Sequence, residues 1–116
     1  MRYLFLLYDA DEDWDPTPEV MAPWGAFDEA SAKLASQLGG EALQPSRTAT
    51  VVSIPHGKTM ITDGPFIEGK EQLGGFYIFD CETREIALQL AAMIPTAPTG
   101  HVEVRPVVDF GDGASS

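Results

Sequence analysis

The chain has 116 residues, 44% of them hydrophobic, which suits one domain with its own core and is too short for two. Eighteen acidic against seven basic residues leave a net charge of -11, which opposes nucleic acid and anionic membrane surfaces as partners, since both need basic patches. The single cysteine, Cys81, excludes an intramolecular disulfide, and the opening apolar run is too short for a leader or a membrane span, so a cytoplasmic location is the expectation.

Arg2 to Tyr8 is an almost unbroken apolar and aromatic run that stops at an acidic stretch beginning with Asp9, and it predicts a first strand buried on both faces. Thr17-Pro18 resembles a helix start, and Met21, Trp24, Phe27, Leu34 and Leu38 recur at helical spacing until Gly39-Gly40, with Pro23 and Gly25 weakening the first turns. A loop from Glu41 to Arg47 follows. Thr48 to Ile54, a turn at Pro55-His56-Gly57 and Lys58 to Thr62 then read as a hairpin. Leu73 to Asp80 is a second continuous apolar strand. Thr83 caps a helix striped by Ile86, Leu90 and Ile94 and ended by Pro95, and His101 to Val108 supplies the last strand.

This order predicts an α+β, ferredoxin-like domain over residues 1–108, with an antiparallel sheet and a loosely ordered tail over 109–116. Right-handed crossovers place both helices on one sheet face, yet the first strand and Phe76 to Phe79 carry large apolar groups pointing both ways. A homodimer packed sheet against sheet is the economical cover for the second face.

The polar centre of the sequence is Thr62-Asp63-Gly64-Pro65-Phe66-Ile67-Glu68-Gly69-Lys70-Glu71-Gln72. Asp63-Gly64-Pro65 has turn chemistry, while Glu68, Lys70 and Glu71 place three charges just before a buried strand; a ligand-facing site and a structural turn with a solvated loop are both compatible with that pattern. In the last strand, alternation puts His101, Glu103 and Arg105 on one face. Glu103 can orient Arg105 toward an anionic group of a ligand, or the two can simply satisfy each other. His101 is the acid-base candidate that could approach Asp63 if the fold joins those ends, whereas His56 sits in an exposed turn. Asp9, Asp11 and Asp13 begin like a calcium loop, but Trp14 occupies its required glycine and Val20 its closing glutamate. No zinc set, phosphate loop or nucleophile elbow is present in the sequence, and no metal or cofactor is expected.

The charged run resembles the signature of the YCII-related, DGPFAETKE-type proteins. The resemblance extends through Leu43-Gln44-Pro45, Gln72-Leu73-Gly74-Gly75-Phe76-Tyr77, Ala91-Ala92-Met93-Ile94-Pro95 and Val102-Glu103-Val104-Arg105-Pro106-Val107. It implies a ferredoxin-like domain in a dimeric α+β barrel. Some members are encoded beside or fused to extracytoplasmic-function sigma factors, the broader group carries a histidine and aspartate pair with its histidine in the first helix, and one branch is similar to a dehydrochlorinase acting on a chlorinated hydroxyquinol. Here the first helix has no histidine, and Ile67 and Gly69 replace the usual alanine and threonine. The positions that match are Asp63, Lys70, Glu71, Glu103 and Arg105. Two functions are compatible with them: a small enzyme handling a small organic ligand, aromatic ones included, in a cleft between helix and sheet, with Asp63 as proton acceptor, or a noncatalytic binding or dimerisation module linked to sigma-factor regulation.

Overall fold

The computed structural model describes residues 1–10 and 15–111; the remainder of the acidic stretch, with Asp11 and Asp13, and the tail from residue 112 lie outside them. A four-stranded antiparallel sheet carries the fold. Its strands are β1 (Arg2–Ala10), β2 (Ser36–Ala42), β5 (Glu71–Asp80) and β6 (His101–Pro106), in the order β2-β5-β1-β6. Helix α1 (Pro18–Ser31) links β1 to β2, and α2 (Arg84–Met93) links β5 to β6. That is the ferredoxin-like arrangement. Between β2 and β5 the chain inserts a separate two-stranded hairpin, β3 (Thr50–Ser53) with β4 (Met60–Asp63).

The strand missing from the sequence reading is β2. The helical stripe expected to continue to Leu38 ends at Ser31, and the segment expected to be helix and loop is the edge strand paired with β5. The reason is tertiary. A Cβ at Gly40 would come within 2.8 Å of the Tyr77 ring and of the Phe76 carbonyl, so that glycine admits the neighbouring strand rather than ending a helix. Leu38, exposed, is the residue skipped where the pairing shifts between Gln37 and Gly39. The two short strands expected to form a hairpin do so, as a pair separate from the main sheet. The last strand ends at Pro106, two residues before the expected Val108.

Helix starts follow the sequence signals. The Thr17 hydroxyl accepts from the Val20 amide at 3.3 Å and the Thr83 hydroxyl from the Ile86 amide at 3.2 Å, each capping one orphan donor of the first turn. Pro23 lies within α1 without ending it. The hairpin turn at Pro55–Gly57 uses a left-handed His56 (φ 54°) followed by Gly57 (φ 78°).

The core lies between the helices and one face of the sheet. Tyr3, Phe5 and Leu7 of β1 alternate with half-buried Leu4 and Leu6, and pack with Phe79, Phe27 of α1, and Leu90 and Ile94 at the far helix. Phe5 and Phe27 both meet the Phe79 ring edge-on, at centroid separations of 5.5 and 6.1 Å. Only Phe27 and Ser31 of α1 are buried, so this helix is held by its C-terminal half. Phe27→Ala is therefore expected to cost about 3–5 kcal/mol, read as a lowered urea midpoint at unchanged slope, because the hole would open where α1 has its one large anchor.

Candidate functional site

The residues singled out by the signature do not converge. Asp63 ends β4 with an exposed side chain, followed by Gly64 at φ 94°, whose amide donates to the Ala49 carbonyl at 2.8 Å and closes the hairpin base. Lys70 is exposed in the loop before β5. Glu71 meets His101 rather than a ligand, with Oε1 2.7 Å from Nδ1, and Glu103 holds Arg105 at 3.5 Å along β6. His101 thus approaches Glu71 and not Asp63. All of these side chains are exposed, and such surface pairs contribute little to stability.

A bulge in the β1–β5 ladder explains the dispersal. Leu7 pairs with Gly75 but Tyr8 with Leu73, so Gly74 is skipped and the side-chain alternation of β5 reverses before it. Glu71, opposite Ala10, is sent to the face that lacks helices, where Tyr8 of β1 stands opposite His101. Gln72, opposite Asp9, is sent to the helix face. Its side-chain amide donates to the carbonyls of Ile67 (3.0 Å) and Gly69 (3.2 Å), fastening the signature loop to the start of β5.

A concavity of about 760 Å³ does exist on the helix face, between the N-terminal half of α1, the β2–β5 edge and the loop after α2. It arises from missing side chains and from the one-ended attachment of α1. Gly40, Ala42 and Gly75 give the sheet floor little bulk, and Val20 in the first turn of α1 is exposed. Met21, Trp24 and Asp28 follow helical spacing and form one wall. Asp9 and Thr99 form the opposite rim, where the Thr99 hydroxyl donates to Asp9 Oδ2 at 2.7 Å and the Ala10 amide to Oδ1 at 2.8 Å. A Cβ at Gly100 would sit 2.1 Å from the Tyr8 carbonyl, so only glycine lets this loop close on the end of β1. A smaller hollow of about 310 Å³ adjoins the cleft across Gln72 and Leu73 and is walled by Pro65 and Phe66 of the signature.

Tyr77 lies on the cleft floor against Phe27, ring centroids 5.3 Å apart. Burial, with a smaller contribution from the Asp28 carboxylate, pushes its phenol up to about 12. The group is a proton donor at neutral pH. In the sequence Asp9 reads as a strand end, Trp24 as part of a helix stripe and Tyr77 as part of an apolar strand, while Asp28 carries no signal, because their convergence on one cleft is a product of the fold. Among the described residues no set of three His, Cys, Asp or Glu side chains is arranged to hold a metal ion, and no helix is long and apolar enough to cross a membrane.

With this geometry in place, comparison with known proteins decides the family. The model of the YCII-related domain matches residues 1–111. The chain belongs to the YCII-related family. An uncharacterised protein of Rhizobium meliloti (strain 1021) is 42% identical over 82 residues, 68% of this chain and 66% of that relative, so the match covers just under two thirds of the relative's length. In this YCII-related chain the signature lies beside the cleft rather than in it.

Tyr77 also yields a pH test. Below pH 10 the phenol is neutral in folded and unfolded chains alike; between pH 10 and about 12 the unfolded chain ionises first, so the contribution of Tyr77 to stability falls as pH rises. The melting temperature of the native chain is expected to drop more steeply across that window than that of Tyr77→Phe. Parallel curves for the two proteins would contradict the assignment.

Proposed function

We propose that this YCII-related protein is a homodimer that binds a small organic molecule, with an aromatic or other flat apolar part, in the cleft between α1 and the sheet. The observation that carries this reading is the cleft itself, a concavity of ligand size with apolar and aromatic walls and a few polar groups, Asp9, Asp28, Thr99 and Tyr77, at defined places. Asp9 is the group that would accept a proton from a bound ligand, being held by two neutral donors and by no cation among the described residues. This moves the acid-base role from Asp63 to Asp9. The ion pairs that occupy Glu71 and Arg105 favour a scaffolding role for the signature strands, as a noncatalytic module would require.

Sheet-to-sheet dimerisation is supported by the helix-free face. Leu4 and Leu6 of β1 stand opposite Ile78 and Phe76 of β5, forming a half-buried apolar patch with Glu103 and Arg105 along one edge. A second copy related by a two-fold axis buries that patch against itself.

Two measurements test the proposal. In amide and indole NMR spectra, millimolar benzyl alcohol is expected to shift Trp24, Gly75 and Thr99 while leaving Asp63 and Lys70 in place, and Asp63→Asn should not alter that pattern. Shifts centred on the hairpin, or none anywhere, would refute the cleft reading. Light scattering should give the native chain twice the mass of one copy and Ile78→Glu the mass of one; a monomeric native chain would refute the dimer.

A further inference from the structure

The charge of the cleft lining narrows the class of ligand. Two carboxylates, Asp9 from the end of β1 and Asp28 from α1, border the same concavity, and among the described residues no lysine, arginine or histidine lines it. Neither carboxylate is compensated. Among the described residues Asp9 accepts from the Thr99 hydroxyl and the Ala10 amide alone, and Asp28 has no ion pair. Glu41 also borders the cleft, but it pairs with Phe76, whose side chain shares the helix-free face with Leu6, so its carboxylate is not counted here.

From this arrangement, and resting on the reading of the cleft as a ligand site, we infer that the protein selects organic cations, specifically a primary or substituted ammonium attached to an aromatic or aliphatic body, and rejects carboxylates and phosphates. Trp24 and Tyr77 line the cleft with aromatic rings, a side-chain class that attracts such cations, and the two aspartates offer its counter-charge. Tyr77 reinforces the sign. A phenol that stays neutral adds no negative charge of its own and can donate to a polar group on the ligand. The inference reverses the expectation from Lys70 and Arg105, cationic groups that would suit an anion and that lie away from the cleft. It also agrees with the excess of acidic residues in the whole chain, which attracts cations and repels anions at a distance.

Three probes of one shape and different charge make the test: benzylamine, benzyl alcohol and benzoate, titrated into the intact protein at pH 7 and followed by the same NMR signals. Benzylamine should bind on the order of tenfold more tightly than benzyl alcohol, since one unshielded charge pair at a partly solvated site is worth about that much, and benzoate should bind more weakly than either. Asp9→Asn and Asp28→Asn, near-isosteric changes checked for an unchanged melting temperature, should each reduce the preference for the amine over the alcohol, and 0.5 M salt should do the same. If benzyl alcohol shifts the cleft signals but benzoate binds as well as benzylamine, the cleft stands and the cation inference falls. An amine preference that survives both asparagine variants also overturns it. If none of the three probes moves those signals, the cleft reading fails and this inference fails with it.

Discussion

The skipped residue in the β1–β5 ladder determines what each side of this protein can do. Antiparallel pairing with strict alternation would send Glu71, Leu73, Gly75 and Tyr77 to one face. With Gly74 bulged out, Gly75 and Tyr77 remain under the helices while Glu71 and Leu73 cross to the other side and Gln72 takes the helix face. One inserted residue therefore separates a charged rim, where Glu71 meets His101, from a cleft, where Gln72 and Asp9 stand side by side. The bulge also bends the strand next to the cleft, as an extra residue on one strand of a ladder must.

The parts of the fold legible from sequence are those whose residues declare their surroundings locally. β1 and the second half of β5 are continuous apolar runs, α2 has a capping threonine and a stripe at helical spacing, and each appears close to the expected bounds. β2 was not legible, because Ser-Gln-Leu-Gly-Gly-Glu-Ala has neither an apolar alternation nor β-branched residues. Its strand conformation is imposed by pairing with β5, and its glycine at position 40 is explained only by the ring of a residue 37 positions away. The site was hidden for a related reason. Asp9 reads as the place where a strand meets solvent, and Asp28 as one more charge on a helix; neither sequence context says that both border one hollow.

The electrostatics of the two faces differ in kind. On the helix-free face, polar side chains are paired in place, Glu71 with the His101 imidazole and Glu103 with the Arg105 guanidinium, around an apolar patch. Such an arrangement suits contact with another protein surface, where paired rim charges set register at small energetic cost. In the cleft the aspartates are of one sign, and Asp9 is held by two neutral donors, the Thr99 hydroxyl and the Ala10 amide. A chain of net charge -11 can maintain both conditions because its few basic residues are placed outside the cleft lining.

A sequence signature need not mark the residues that touch a ligand. Here Asp63-Gly64 closes the base of the hairpin through the Gly64 amide, and the loop from Ile67 to Gly69 is fastened by the side chain of Gln72. Both interactions fix where β5 begins. The bulge at Gly74 follows three residues into β5, and ahead of it Gln72 rather than Glu71 faces the cleft. Pro65 and Phe66 wall the adjoining hollow and contribute shape rather than chemistry. The charged residues of the signature lie on the solvated side of these turns, whereas Asp9 and Asp28, which border the cleft, carry no motif at all.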